Sequence, residues 1–286
     1  MKDIKIVVDT GADLPEEYRK KYDIGVLSFL SIFGEETFVT GVDITNEEFF
    51  DKLEESDMIP TTSQTPYADM YDYLLEQAKA HDSVIYLTLS AKGSGQNHTA
   101  QLVTEEIKEE YPQADIYIVD TEKFSIYIAQ TAVYASELAK NGMEAQEIVD
   151  ECKQYIKTWR CYLLVDTLKY LEKGGRINKT AAFVGTMLDI KPILAIENGL
   201  VETNGMLRGK KKLMDKLIDK IKDDEDVDFE NPEFLVIQSD EKKGQAICEK
   251  LREEFGENCI TMYSEFGPIV GTHVGRGAFA ILPRLK

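Results

Sequence analysis

Residues 84–95 read VIYLTLSAKGSG. A short run of apolar and β-favouring side chains ends at Ser90, and the small residues Ala91, Gly93, Ser94 and Gly95 follow around a single Lys92. A run of this length bounded by turn residues predicts a strand buried on both faces, the kind found in parallel sheets. Residues 4–8 (IKIVV) and 116–119 (IYIV) repeat the pattern. Helical signals separate the three. Pro66 opens a helix to about Ala80 with Tyr67, Met70, Tyr71, Leu74 and Leu75 on one face, and a second helix covers about residues 100–110. This β–α–β rhythm predicts a mainly parallel sheet covered by helices.

Outward from that frame, residues 26–43 read as a strand, a turn near 33–36 and a short return. Residues 125–156 are nearly all helical, and a strand at 162–165 opens a second region. There, 192–196 and 200–201 flank Asn198-Gly199, a pair that accepts the positive φ of a tight hairpin turn. Further strands are expected at 234–238, 259–263 and 278–282. The expected fold class is α/β with two domains: 1–157 with a mainly parallel sheet and flanking helices, and 158–286 as an α/β domain with a mixed or antiparallel sheet. No linker rich in Pro, Ser or Gly marks the boundary near residue 158, so the two are expected to share an interface.

The 286 residues suit about two domains of ~150. With 33 Lys plus Arg against 52 Asp plus Glu, the formal charge is −19. That balance argues against broad nucleic-acid binding and against adsorption to anionic lipid surfaces. No apolar stretch approaches the ~20 residues of a membrane span, so no stable membrane insertion is expected. The N-terminus reads as a first strand with Asp9 behind it, not a signal peptide. Cys152, Cys161, Cys248 and Cys259 form no C-x-x-C pair and are expected as reduced thiols in a cytoplasmic protein.

Several motifs fail on inspection. Gly93-Ser94-Gly95 follows a strand, but His98 takes the place of the third glycine of a dinucleotide fingerprint, and Gly275-Arg276-Gly277 precedes its strand. Gly205 to Gly209-Lys210 is one residue short of a phosphate loop, with Lys211 where Ser or Thr is needed. Asp9-Thr10-Gly11 matches the aspartic-protease tripeptide, but no second copy exists; Asp9 or Thr10 is expected to cap the following helix. His81, His98 and His273 are scattered with no metal-binding spacing. No cofactor and no metal are expected.

Other stretches carry more. Thr61-Thr62-Ser63-Gln64, between Pro60 and Pro66, reads as an extended loop with free hydroxyls and N–H groups, either a capping turn or a ligand loop. Residues 90–95 lie at the carboxyl end of a parallel strand and lead into a helix, where ligands of open α/β sheets sit and where free N–H groups favour an anion. In Lys173-Gly174-Gly175-Arg176-Ile177 the glycines stop a helix, and Arg176 either anchors the two domains or touches ligand. From Arg208 to Lys222 the chain carries seven basic residues against two acidic, then the acidic run 223–226. This is either a solvated helix face or a contact for a phosphate or a partner. Residues 267–277 hold four glycines around His273, so close backbone approach would let the histidine reach a ligand in a narrow cleft.

Together these residues resemble the DegV family, the fatty-acid-binding subunits of bacterial fatty-acid kinase. The resemblance runs from Asp9-Thr10-Gly11-Ala12-Asp13-Leu14-Pro15 through Thr62-Ser63-Gln64, Ser94-Gly95, Val165-Asp166-Thr167-Leu168, Gly174-Gly175-Arg176-Ile177, Lys191-Pro192-Ile193-Leu194 and Arg208 to Gly271-Thr272-His273. It implies one long-chain fatty acid held between two α/β domains. The matched residues imply that Thr62, Ser94 and His273 bind the carboxylate, with Ser63, Gln64, Gly95, Gly271 and Thr272 in supporting loops. Arg208 and Arg176 are implied as contacts to product or partner. The partner is a separate ATP-binding kinase subunit that makes the acyl-phosphate, so this chain is expected to turn over nothing by itself. Where the family usually has Ser-Gly-Leu-Ser-Gly-Thr-Tyr this chain has Ala91-Lys92-Gly93-Ser94-Gly95-Gln96-Asn97, and Arg276 replaces a frequent Pro. Lys92 and Arg276 are therefore expected to add two cations around the carboxylate. Two competing expectations are an enzyme for a small carboxylated or phosphorylated metabolite with His273 as acid or base, and a ligand sensor whose basic stretch docks a regulator.

Overall fold

The structure, a computed structural model, describes residues 2–177, 190–209 and 212–286. In chain order its first half contains β1 (Ile4–Asp9), α1 (Glu16–Tyr22), β2 (Gly25–Leu27), β3 (Leu30–Phe33), β4 (Glu36–Val39), α2 (Asn46–Glu55), β5 (Thr61–Ser63), α3 (Tyr67–Ala80), β6 (Ser83–Thr88), α4 (Gln96–Glu110), β7 (Ile116–Asp120), α5 (Ile126–Lys140) and α6 (Ala145–Tyr155). The second half contains β8 (Tyr162–Leu164), α7 (Lys169–Gly174), β9 (Ile190–Glu197), β10 (Leu200–Arg208), α8 (Leu213–Lys222), β11 (Phe234–Gln238), α9 (Glu241–Phe255), β12 (Ile260–Glu265), α10 (Pro268–Val274) and β13 (Phe279–Pro283).

The molecule is α/β, as expected. β2, β1, β6 and β7 form an all-parallel sheet in that order, and β6 at its centre is buried along its whole length. The second large sheet runs β10-β9-β8-β13-β11-β12 and is antiparallel except for the β11–β12 pair. The Asn198-Gly199 turn joins β9 to β10 with φ of 48° and 76°, as the hairpin reading requires.

The period-two alternation of strands sorts the core. On the six-stranded sheet Leu163, Leu235, Ile237, Ala280 and Leu282 face one apolar cluster, while Tyr162, Leu164, Phe234, Val236 and Ile281 face another beneath α8 and α9. The first cluster runs without a break into the parallel sheet through Ile6, Val8, Ile85 and Leu87. Helix α5 fills the space between: it packs on β1, β6 and β11, and it is buried nearly all round. One core thus spans both sheets.

Two details differ from the sequence expectations. Thr61–Ser63 is a strand, not a loop: β5 completes a three-stranded antiparallel sheet, β4-β3-β5, with Thr62 opposite Ser31. The exposed edge of the β3–β4 hairpin supplies backbone partners that the polar sequence does not advertise. Residues 26 and 27, assigned above to that hairpin, instead join the parallel sheet within β2. Asp9 does cap a short turn, accepting a hydrogen bond from Gly11 N at 3.0 Å. Among the described residues no helix is long and apolar enough to cross a membrane, and all four cysteines are buried free thiols.

Candidate functional site

The carboxyl ends of β1 and β6 lie on one edge of the parallel sheet, and there a cavity opens between the two large sheets. Its floor is the inner face of the six-stranded sheet, with Leu163, Ile237, Ala280 and Leu282. One wall is the start of α5, with Ser125, Ile126 and Tyr127. The other is α10 with Phe266 two residues ahead of it, and carries Ile269, Val270, His273 and Val274. Burial follows a gradient. Thr62, Gly93, Ser94, Phe124, Arg176 and His273 are partly exposed, whereas Leu89, Tyr127, Cys161, Leu163, Ile237, Phe266, Ala280 and Leu282 are buried. The polar side chains Thr62, Ser94, Arg176 and His273 are thus gathered at the partly exposed mouth, beside Phe124 and Val270, and the buried interior is almost wholly apolar.

The loops of the mouth are tied by a buried amide. Gln96, first residue of α4, receives Thr65 N on its Oε1 at 3.1 Å and donates Nε2 to Thr65 Oγ1 at 2.9 Å and to Tyr86 Oη at 2.7 Å. Tyr86 in turn donates to Asp9 at 3.2 Å. This network fixes the segment after Thr62 against the helix that follows Ser94. Gln64 reinforces it by donating to Thr99 Oγ1 at 2.8 Å, and its Oε1 lies where a side chain on Gly95 would stand.

His273 and Arg176 face the cavity from the second half of the chain. Arg176 donates Nε to Gly93 O at 3.0 Å and Nη1 to Gly174 O at 2.5 Å, so it both lines the cavity and bridges two loops distant in sequence. The His273 ring sits against Gly174, where a Cβ would be 2.2 Å from Nδ1, and Nδ1 has no hydrogen-bond partner. Burial, with the Arg176 charge beside it, pushes the imidazole pKa down to about 4. The ring is neutral at pH 7 in this state and offers no charge-assisted hydrogen bond.

Of the residues singled out by sequence, Thr62, Ser94, His273 and Arg176 meet at one cavity. Ser63, Gln64, Gly95, Gly271 and Thr272 do not line it. Ser63 pairs with Leu30 in the small sheet, Thr272 Oγ1 bonds Pro268 O at 2.8 Å within α10, and Gly271 lets α10 close on Phe49 and Phe50 of α2. Arg208 lies apart from the cavity, exposed at the end of β10, with its carbonyl accepting Lys216 Nζ. Lys210 and Lys211 lie outside the described residues.

The two extra cations are a correction. Lys92 Nζ bonds Asn198 O at 2.8 Å, clasping the β9–β10 turn, and Ser90 Oγ holds Gly199 O at 2.8 Å beside it. Arg276 pairs with Asp51 at 2.5 Å and Glu54 at 3.3 Å, over the Phe50 ring. Neither lines the cavity. Long flexible cations find the nearest acceptors in space, which their place in the chain does not reveal.

Sequence reading also missed Asp13. Its backbone is left-handed at φ 52°; its Oδ1 accepts Gly267 N at 2.8 Å and its other oxygen accepts Ser125 Oγ. Gly267 caps α10 and Ser125 opens α5, so one carboxylate holds both cavity walls. Burial pushes the carboxyls of Asp13 and Asp9 up to about 7.

The family model described as "Uncharacterised protein, DegV family" matches residues 3–284. Protein DegV of Bacillus subtilis is 29% identical over 280 residues, covering 97% of this chain and 98% of that protein. The solved structure of B. subtilis DegV, described as a fatty acid binding protein, superposes with a TM-score of 0.87 at 28% identity over the full length of both chains. A DegV family protein from Thermus thermophilus, described by its fatty acid binding, gives a TM-score of 0.87 at 26% identity over 99% of this chain and 100% of that one. With that match along nearly its whole length, this chain belongs to the DegV family.

Proposed function

We propose that the protein holds one long-chain fatty acid and presents it to a separate ATP-dependent kinase subunit for acyl-phosphate formation. The observation that carries the reading is the gradient of the cavity, a polar, partly exposed mouth opening onto a buried apolar interior. In this reading the carboxylate takes hydrogen bonds from the hydroxyls of Thr62 and Ser94 and from His273, with Arg176 supplying positive charge. A carboxylate beside His273 raises the imidazole pKa again, because an opposite charge favours the protonated ring. The tail lies along Leu163, Ile237, Ala280 and Leu282. At ~0.8 kcal/mol per buried methylene, a long tail supplies more than ~10 kcal/mol before ordering costs. Two similar proteins described as binding fatty acids support the assignment.

The chain does no chemistry of its own in this account. Residues 1–157 and 158–286 act as two domains with the ligand between them, and Arg208, exposed at the end of β10, meets the phosphorylated product or the kinase. The test is titration of delipidated protein with hexadecanoic acid and with hexadecanol. Tight binding of the acid, with the alcohol markedly weaker, is expected. Equal binding of both, or of neither, contradicts the head-group assignment.

A further inference from the structure

Phe124 stands at the mouth of the cavity, partly exposed, one residue before Ser125. Its ring is seated on Gly93: a Cβ there would lie 2.5 and 2.6 Å from the ring's Cζ and Cε1. Gly93 has no positive φ, so nothing in its backbone conformation asks for glycine. What asks for it is the ring. The next residue is Ser94, and Gly93 O is the acceptor for Arg176. Phe124 is therefore packed beside the groups assigned above to the carboxylate.

The ring is held there. Glu122 and Ser125, on either side, are non-glycine residues with φ of 53° and 62°, a conformation that persists only where its surroundings over-determine it. Here they do: Glu122 N bonds Asp120 Oδ1 at 2.9 Å, Ser90 N bonds Lys123 O at 3.0 Å, Lys123 Nζ bonds Ile196 O at 2.9 Å, and Ser125 N bonds Gly11 O at 3.0 Å. A clamped backbone and a steric seat leave the ring little room to swing aside.

We infer that Phe124, with Gly93 as its seat, is a specificity-determining residue that admits acids unsubstituted at the carbons next to the carboxyl and rejects those carrying a methyl or hydroxyl group at carbon 2 or 3. The inference rests on the fatty-acid reading. A substituent there meets the ring, and a misfit of one methyl group against apolar side chains is worth roughly tenfold or more in discrimination.

The test compares hexadecanoic acid with 2-methylhexadecanoic acid on delipidated protein, for the wild type and for Phe124→Ala and Phe124→Leu. The wild type is expected to prefer the straight acid by about tenfold or more, and the smaller side chains to bring the two affinities within about threefold. Gly93→Ala is expected to drive the ring into the cavity and weaken the straight acid, with recovery in the Gly93→Ala, Phe124→Leu double variant. Equal wild-type affinities, or an unchanged ratio in a folded Phe124 variant, overturn the inference while leaving fatty-acid binding intact. A wild type that binds neither acid overturns the fatty-acid reading and this inference with it.

Discussion

The mouth and the interior of the cavity are built by opposite means. The interior comes from strands β8, β11 and β13, whose alternation puts Leu163, Ile237, Ala280 and Leu282 on one buried face. Each of these side chains serves by being apolar and of suitable volume. The mouth comes from loop ends, a short strand and a seven-residue helix, held by hydrogen bonds between residues far apart in sequence: Gln96 to Thr65, Arg176 to Gly93, Asp13 to Gly267. There each group serves by its position. The interior should therefore set how much tail is bound, and the mouth what head group is accepted.

The largest expected effect lies at the mouth. Thr62→Val combined with Ser94→Ala should weaken hexadecanoic acid by about 3 kcal/mol or more, at about 1.5–3 kcal/mol for each hydrogen bond to a charged group. Because the lost contacts are at the head group, calorimetric titration should find the same loss for every chain length. Unchanged affinity in the folded double variant removes both residues from the head-group site.

An interior substitution should behave differently. Ala280 is buried on the cavity floor, paired with Leu163 and Ile237 on the neighbouring strands. Ala280→Leu takes space from about two to three methylenes, so hexadecanoic acid should lose about 2 kcal/mol while a ten-carbon acid is spared. A loss independent of chain length would blur the division between mouth and interior.

Titration offers a third test. The folded-state pKa values of Asp9 and Asp13 lie near 7, above the ordinary 3.8, so their stabilising contribution is complete below about pH 4 and is lost as pH rises through about 7. His273, lowered to about 4 from 6.5, works the other way: stability rises between those values and is constant above. Above pH 6.5 only the carboxyl effect remains. The groups facing the pair include Tyr86, beside Asp9, and Glu265, whose charge adds to the push on Asp13. The ligand-free protein should melt several degrees lower at pH 8 than at pH 6.5, and Asp9→Asn should reduce that difference. A melting temperature flat across this interval contradicts the assignment.

The smallest effect on binding is expected at Arg208. Outside the cavity, Arg208→Ala should change fatty-acid affinity by less than about twofold while sharply reducing kinase-coupled turnover. If binding falls as far as turnover, Arg208 acts on the head group; if neither changes, the basic stretch is a solvated face.

The two regions were also unequally legible. The interior could be anticipated as a class, because residues 162–165, 234–238 and 278–282 announce buried strands, although the sequence did not say which faces line a cavity. Asn198-Gly199 fixed its hairpin for a local reason. At the mouth, Thr62, Ser94, Arg176 and His273 stood out as residue types in small-residue loops, and they do converge on one cavity. What joins them was hidden. Gly174 reads as a helix stop, yet Gly175 provides the left-handed cap at φ 69° while Gly174 makes room for the His273 ring. Asp13 stands in the sequence only as part of the Asp9–Pro15 stretch, yet its carboxylate spans 254 positions to Gly267. Thr61–Ser63 reads as a loop because its strand partner lies some thirty residues away in β3. Contacts of that range leave no local periodicity to detect.

The central claim is that this cavity holds a fatty acid, and mass spectrometry of the small molecules released on denaturing the purified protein tests it most directly. The account predicts about one long-chain fatty acid per chain, and a reduced amount when Thr62→Val and Ser94→Ala are combined. A protein that releases no lipid and takes up none when incubated with hexadecanoic acid, or one that releases a nucleotide or a phosphorylated metabolite instead, would contradict it.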